Sequence, residues 1–298
     1  MLTLAWLVGI ALTGQTPQVE PAHAAHGAYR SLLENGLTLE QTRLEFPPPA
    51  LRDGMSAEEQ RASLEKIAGS SARLDELVRD SVAAPFLLKL RDETTKDGDL
   101  IRRGDLFFAV HADFRAIDPD ALTRRGTEEK PVEAGNMRFV SRVLTDGERH
   151  ARGFEGAGKS REWFVHLKGR LLDRIAVEAT DRITSTGSDE SWVIASRTEP
   201  KFDEDHEFPN SWRSLDVKGG GDASAAHRYA GGGSYVKISK LAAPAGALFV
   251  EAHFAFTEPR AWFDGAPILR SKLSLVAQDQ IRRLRRELAQ AKSKSKSQ

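Results

Sequence analysis

The stretch DLFFAVHADFRAI, residues 105–117, decides the fold class because its apolar side chains recur at every second position. Leu106, Phe108 and Val110 fall on one side of an extended chain, and the residues between them fall on the other. A period of two is typical of a strand in a sheet, since successive side chains point to opposite faces. The stretch therefore predicts one long strand that is at least half buried.

Six later segments have the same extended character. They are residues 137–144, 162–168, 171–184, 191–198, 234–241 and 248–257. In the last of them, apolar side chains alternate with Glu251 and His253. Turn-forming Gly, Pro and acidic residues separate the segments, which is typical of antiparallel strands joined by loops. Together with residues 105–117, they predict an antiparallel sheet of about seven strands.

Helical patterns lie on either side of the predicted sheet. Upstream, Ser56 and Glu59 form a capping box that opens one of several predicted helices. Downstream, apolar residues at helical spacing predict a long helix over residues 267–291, followed by a basic tail that we expect to be disordered. The fold class is therefore α+β. The predicted regions are 1–24 (signal peptide and cleavage region), 25–90 (N-terminal helices), 91–291 (sheet and C-terminal helix) and 292–298 (tail).

This order of elements resembles the helix-grip fold of the START-like superfamily. The resemblance spans residues 105–291 and rests on the succession of strand, short helical piece, six strands and long helix. Residues 254–288 resemble the end of such domains, with a strand, a turn that contains Pro and Gly, and the helix. The resemblance implies that a curved antiparallel sheet wraps the C-terminal helix around an apolar cavity.

The same resemblance implies which side chains face the helix and the cavity. They are Phe108, Val110, Trp163, Val165, Trp192, Phe254 and Phe256. The alternative is that these side chains fill an ordinary core, because large apolar residues are usually buried.

The N-terminus indicates export. Residues 2–12, LTLAWLVGIAL, form an apolar run that suits the core of a signal peptide, about 7–15 residues, and falls short of the roughly 20 needed to span a membrane. Residues 22–24, AHA, fit a cleavage site, and residues 13–15, TGQ, are a second candidate. No basic residue precedes the run, so a buried N-terminal helix is the alternative. We expect a periplasmic or secreted protein.

Composition excludes several classes of site. The chain has no Cys, which excludes disulfides, thiolate zinc sites, iron–sulfur clusters and cysteine nucleophiles. Lys and Arg together number 43, as do Asp and Glu, so no bulk charge indicates nucleic acid. Residues 270–298 hold nine basic and two acidic side chains. Such an end either docks on an anionic envelope surface or is a solvated helix face.

Two local motifs are similar to ligand sites. The segment from Gly153 to Ser160, GFEGAGKS, matches the phosphate-binding pattern G-x-x-x-x-G-K-[ST]. However, residues 145–152 are too polar for the buried strand that such a loop requires, and residues 163–168 alternate like a strand where a helix is required. Residues 203–207, DEDHE, gather oxygen ligands but lack the spacing of a calcium loop. We therefore expect no nucleotide, no metal and no other cofactor.

These observations leave three functions open. The leading hypothesis is non-enzymatic binding of an apolar small molecule, such as a lipid, or of an envelope partner. The second is an exported hydrolase whose acids and bases meet only in the folded chain, with His111, Asp113, Glu251 and His253 as first candidates. The third is a structural or adaptor protein that uses the N-terminal helices and the basic tail.

The phosphate-binding pattern generates the first testable prediction. In a true P-loop the lysine contacts the β- and γ-phosphates, so Lys159→Ala would abolish binding of ATP. We expect isothermal titration calorimetry to detect no ATP binding to the unchanged chain or to the variant. Micromolar binding that Lys159→Ala removes would contradict this prediction.

Overall fold

The computed structural model describes residues 19–24, 26–117, 132–134, 136–154, 161–215, 224–263, 266 and 268–295. The α-helices are α1 (Gly27–Glu34), α2 (Ala57–Ala68), α3 (Ser71–Leu77), α4 (Asp146–His150) and α5 (Ile268–Ser295). The strands are β1 (Leu37–Leu39), β2 (Thr42–Leu44), β3 (Leu87–Thr94), β4 (Leu100–His111), β5 (Val132–Ala134), β6 (Met137–Val143), β7 (Arg161–Leu171), β8 (Ile175–Gly187), β9 (Ser191–Thr198), β10 (Ser211–Ser214), β11 (His227–Arg228), β12 (Gly232–Lys240) and β13 (Ala247–Glu258). The chain is therefore α+β, as the sequence predicts.

Eleven strands form one antiparallel sheet, nine of them in the order β3-β4-β13-β12-β9-β8-β7-β6-β5. Strand β10 pairs with the first half of β8, and β11 pairs with β10. In the described part of the chain, the end strands β3 and β5 do not pair with each other, so the sheet is open. Helix α5 nevertheless contacts both β4 and β5. These strands lie near opposite ends of that order, so the sheet curves around α5.

The sequence prediction of about seven strands is too low. All seven predicted strands are present, as β4, β6, β7, β8, β9, β12 and β13. The sheet also contains β3, β5, β10 and β11. Three of these have only two to four residues, which is too short to show a period of two. The apolar side chains of β3 are confined to its first half, so its alternation is equally hard to recognise.

The region predicted as helical, residues 25–90, also contains extended structure. Besides α1, α2 and α3, it holds the hairpin of β1 and β2 and the first residues of β3. The hairpin turns at Glu40 and Gln41, whose φ angles of 44° and 63° lie in the left-handed region. Neither residue is Gly or Asn, so the sequence carries no turn signal there. The capping box of Ser56 and Glu59 does open α2, as predicted.

Helices cover both faces of the central strands. On the face that we name convex, α1, α2, α3 and the β1–β2 hairpin pack in two apolar clusters around Tyr29 and Phe249. On the opposite, concave face, α5 packs through Ile281, Leu284 and Leu288 against apolar side chains of β4, β12 and β13. The sheet is therefore the middle layer of the molecule in this region.

A separate apolar cluster joins the first half of α5 to the other side of the curved sheet. Leu269 and Val276 of α5 pack with Trp262 and Phe263, which precede the helix. The same cluster includes side chains of β6, β7, β8 and β10. Because its second half packs on β4 and β13, α5 bridges the two sides of the sheet.

One arginine of α5 is buried, whereas a docking surface or a solvated helix face would leave it exposed. Arg285 is only 7% exposed, whereas its neighbours Arg283 and Arg286 are exposed. Its guanidinium donates to the carbonyl oxygen of Ala109 at 3.0 Å and also to those of Ala84 and Pro85. Strand β3 pairs with β4 only as far as Phe107, so Arg285 satisfies a carbonyl beyond the end of that pairing.

Helix α5 is longer than the sequence predicts. It continues to Ser295, four residues into the segment predicted as a disordered tail, and residues 296–298 lie outside the described part of the chain. Among the described helices, none combines the length and the apolar character needed to cross a membrane.

The packing of α5 generates a prediction of stability. Ile281 is 3% exposed, whereas Leu275 on the same helix is 55% exposed. Replacing Ile281 with Ala removes buried methyl groups and leaves a cavity, which should lower the free energy of unfolding by about 2–5 kcal/mol. Leu275→Ala is the control and should change it by less than about 0.5 kcal/mol. Equal effects of the two variants in urea denaturation would show that α5 does not pack on the sheet.

Candidate functional site

A row of directly opposed residues crosses the concave face from β7 to β3. Its members are Trp163, Ile183, Ser196, Ser234, Phe254, Gly104 and Leu90. A second row runs beside it and contains Ser185, Ile194, Val236, Ala252, Leu106 and Leu88. We name the concave surface beneath α5 that is formed by these two rows and by the adjoining pair of Asp181 and Thr198 the groove. Strand pairing alone fixes which side chains share it, because one face receives every second residue.

The side chains of the groove are less buried than those on the convex face. On β9, β12 and β13, the groove residues of both rows are half-buried. Their neighbours that point to the convex face, among them Ala195, Tyr235 and Ala255, are almost wholly buried. The middle of the concave face is therefore only partly covered, although Leu106 and Val236 of the second row pack against the apolar cluster of α5.

Two aromatic rings lie flat on the floor of the concave face. A Cβ atom on Gly104 would come within 2.1 Å of the Phe254 ring, and one on Gly187 would come within 2.4 Å of the Trp192 ring. Each ring thus occupies the space that a side chain would take on the neighbouring strand. This arrangement keeps the rings against the sheet, and the Arg161 guanidinium lies 5.0 Å from the centroid of the Trp192 ring.

The structure places all seven predicted cavity residues on the concave face. Trp163, Trp192, Phe254 and Phe256 are half-buried. Phe108 and Val110 are instead buried in the apolar cluster that packs on α5, and Val165 is also buried. The sequence interpretation did not name Ile183, Ile194, Val236, Ala252 and Leu106. The alternation within strands β4, β8, β9, β12 and β13 carries the signal that would have found them.

Polar groups interrupt the apolar floor at one place. The hydroxyls of Ser196 and Ser234 are hydrogen-bonded at 2.8 Å. Asp181 lies opposite Thr198 in the register and accepts a hydrogen bond from its hydroxyl at 2.8 Å. Burial raises the pKa of the Asp181 carboxyl to about 6. In the described part of the chain, the indole N–H of Trp163 is buried without an acceptor.

The convex face holds a buried cluster of titratable residues. His253 Nδ1 lies 2.8 Å from an oxygen of Asp105, and its Nε2 lies 3.7 Å from Glu251. Burial opposes protonation of His253, but the hydrogen bonds and charges of the two carboxylates outweigh it and raise the pKa of the imidazole. The backbone N–H of Ala50 donates to Glu251 at 2.9 Å, and the hydroxyl of Tyr235 donates to a carbonyl of the same segment. The segment that precedes α2 therefore covers the cluster, which does not open to solvent.

The four residues that the sequence suggested as hydrolase candidates do not all meet. His253 and Glu251 belong to the cluster just described. His111 lies at the end of β4, where its Nε2 donates to the carbonyl oxygen of Val78 at 2.8 Å. Asp113 is exposed and accepts a hydrogen bond from a backbone N–H two residues later. The structure thus keeps His253 and Glu251 together, separates them from His111 and Asp113, and adds Asp105.

A second buried cluster surrounds Lys237, whose side chain is fully buried. Its ammonium lies 2.5 Å from Glu20 and 3.5 Å from Asp53, and it donates to the carbonyl oxygen of Leu51 at 2.9 Å. Glu20, His23 and Asp53 have ligand atoms within 4.8 Å of one another, which would suit a metal ion. The Lys237 ammonium already compensates the charge of these two carboxylates. The three residues therefore do not fit a metal ion in addition to the lysine.

The same cluster contains a Ser–His pair. The two imidazole nitrogens of His23 lie 2.8 Å from the hydroxyls of Ser191 and Thr186. In a catalytic triad the carboxylate orients the imidazole, but here Asp53 accepts from the Ser191 hydroxyl itself, at 2.6 Å. His23 and Ser191 are also fully buried. The arrangement therefore stabilises the fold and is not placed to attack a substrate.

The two motifs of the sequence lie elsewhere. Residues 155–160 of the phosphate-binding pattern lie outside the described part of the chain. Helix α4 precedes the pattern and strand β7 follows it, which is the reverse of a P-loop. In the acidic segment, Asp205 accepts hydrogen bonds from Arg152, and Asp203 accepts one from Arg228. These carboxylates are thus paired with arginines.

A cleft of about 610 Å³ opens between α2, α3 and the turn that joins β12 to β13. Leu64, Leu74 and Val78 line it. Its rim is charged, and Arg61 and Asp75 pair there at 3.0 Å. The cleft lies on the convex side, away from the groove.

Comparison with known proteins does not supply a function. No protein-family model matches the chain, and no curated protein sequence matches it significantly. A function must therefore be inferred from the groove and the two buried clusters.

The burial of His23 generates a prediction of pH dependence. Burial and the charge of Lys237 lower its pKa from 6.5 to about 4, so in this range the unfolded chain binds a proton there that the folded chain does not. The free energy of unfolding should therefore fall as the pH decreases from 6.5 to about 4, with a contribution of about 3 kcal/mol from this group. Urea denaturation of His23→Gln should show a correspondingly weaker pH dependence.

His150→Gln is the control, because His150 is exposed on α4. This variant should keep the pH dependence of the unchanged chain. If the free energy of unfolding depends on pH equally in His23→Gln and in the unchanged chain, the assignment of this effect to His23 is wrong.

Proposed function

We propose that this chain is an exported, non-enzymatic protein that binds an elongated apolar molecule in the groove. The two rows of half-buried side chains beneath α5 carry the proposal. Apolar side chains that remain in contact with water lose this contact when an apolar molecule covers them, which favours binding.

The length of the groove suits an extended molecule. From β7 to β4 the rows cross five strand spacings, or about 24 Å at about 4.8 Å per strand. Each methylene group that moves from water to such a surface stabilises the complex by about 0.8 kcal/mol. A hydrocarbon chain of a lipid therefore gives the length and the apolar area that the groove can cover.

The arrangement of sheet and helix supports a helix-grip interpretation. A large antiparallel sheet curves around α5, and α5 bridges its two sides. This is the arrangement that the START-like resemblance implies, with α1, α2 and α3 as an additional layer on the convex face. We propose that the fold belongs to this type and that its cavity is the ligand site.

Export and surface docking complete the proposal. The apolar run at the N-terminus supports a periplasmic or secreted location. Cleavage near residues 13–15 fits this location better than cleavage at 22–24, because Glu20 and His23 are buried in the fold. Arg282, Arg283 and Arg286 are exposed on α5 and lie within the basic C-terminal segment. Such a segment attracts an anionic envelope surface by a charge interaction that salt weakens.

An exported hydrolase is the second candidate, and the cluster of His253, Asp105 and Glu251 is the observation in its favour. A paired imidazole and carboxylate are groups that enzymes use for proton transfer. However, His253 and Glu251 are 3% and 1% exposed and lie on the face opposite the groove. A substrate could not reach them without displacing residues 46–51, so binding is the better-supported function.

The groove generates a prediction of ligand binding. Ala252 lies on the floor of the groove, and Ala252→Trp should fill it. We expect the fluorescent probe N-phenyl-1-naphthylamine to bind the unchanged chain, and at least about tenfold more weakly to the variant, a loss of about 1.4 kcal/mol. Ala245→Trp is the matched control, because Ala245 is exposed in the turn between β12 and β13.

Ser234→Phe provides a second obstruction in case Ala252→Trp does not fold. Circular dichroism identifies the folded variants. If the unchanged chain does not bind the probe, or if folded groove variants bind it as tightly as Ala245→Trp does, the proposed function is wrong.

A further inference from the structure

The polar groups of the groove lie together at one end of its apolar floor. Asp181 and Thr198 are directly opposed on β8 and β9. Ser196 is two residues from Thr198 on β9 and is opposed to Ser234. Diagonal neighbours of this kind are about 7–8 Å apart, so the four side chains form one polar end. The remaining floor, towards β4, is apolar.

The Asp181 carboxylate has one known partner at this end. The hydroxyl of Thr198 donates to one of its oxygens, and the same hydroxyl accepts from the backbone N–H of Gly232 at 3.0 Å. Among the residues that the structure describes, no Lys or Arg pairs with Asp181. A carboxylate in apolar surroundings is costly unless a cation or further donors reach it. Among the described residues, the carboxylate of Asp181 therefore carries its charge with Thr198 as its hydrogen-bond partner and with no basic side chain paired to it.

An aromatic side chain lies beside this charge. Trp163 is opposed to Ile183, two residues from Asp181 on the same strand, so it is diagonal to the carboxylate on the concave face. The face of a tryptophan ring attracts cations within about 6 Å. A carboxylate next to a tryptophan is a combination that recognises an ammonium group.

We propose that the molecule held in the groove is a long-chain amine, whose cationic head group pairs with Asp181 and whose apolar chain covers the floor from Ile194 to Leu106. This inference rests on the proposed function, because it names the class of ligand for the same groove. A fatty acid of equal length would place its carboxylate against Asp181 and would be repelled. An alcohol could donate a hydrogen bond but would leave the charge uncompensated.

The head group can be tested with three compounds of equal chain length. Decylamine, decanol and decanoate would compete with N-phenyl-1-naphthylamine for the full chain at a mildly alkaline pH, where both the carboxyl of Asp181 and the amine are charged. We expect decylamine to bind at least about tenfold more tightly than decanoate, equivalent to about 1.4 kcal/mol. Decanol should lie between them.

Asp181→Asn keeps the size of the side chain and removes its charge. We expect the affinity for decylamine to fall about tenfold and the affinities for decanol and decanoate to stay equal or to rise. Asp189→Asn is the matched control, because Asp189 is exposed in the turn between β8 and β9, and it should change none of the three affinities.

The outcomes separate the two proposals. If the probe and the three compounds bind, but the amine has no advantage or Asp181→Asn leaves its advantage unchanged, the head-group assignment is wrong and the groove remains a binding site. If neither the probe nor any of the three compounds binds the unchanged chain, the proposed function is wrong and this inference is overturned with it.

Discussion

The pairing of β4 with β13 is the constraint on which the other elements depend. The two strands are in register over twelve residues each, from Ala247 opposite His111 to Glu258 opposite Leu100. Both strands carry large apolar side chains on both faces, so neither face can be left in water. The N-terminal helices bury the apolar side chains of one face, and α5 buries those of the other. The groove lies where α5 covers the concave face incompletely.

Buried ion pairs link strands of the sheet to one another and to the segments that cover it. Arg102 and Glu258 form a two-point ion pair at 2.5 and 3.0 Å that links β4 to β13. Lys237 anchors the chain before α1 through Glu20. Removal of one partner from such a pair costs about 3–5 kcal/mol, since the other charge stays buried without compensation. The Lys237–Glu20 pair therefore holds the segment before α1 against the convex face.

The sequence predicts much of the fold and part of the site. A period of two is a local property, so all seven predicted strands are present, and the helical stripe predicts α5 correctly apart from its length. Lys237 and Arg285 look like solvated cations in the sequence, because their partners are far away along the chain. The groove was anticipated only through its aromatic side chains, such as Trp163 and Phe254. Asp181 was missed because one acidic residue in a strand gives no sign of the face that it occupies.

The hydrogen bonds that anchor the covers join residues that are far apart in sequence, and this separation has a kinetic consequence. Lys237 lies 217 residues from Glu20, and Arg285 lies 201 residues from Ala84. Closing a loop of this size costs conformational entropy before the contacts that it brings together can stabilise the chain. Folds dominated by such contacts therefore form slowly. The segment that carries Glu20 is synthesised 217 residues before its partner Lys237, so it stays unpaired during that interval. The native state therefore forms after translation has passed α5, and until then the chain is available to chaperones and to any machinery that handles unfolded polypeptides.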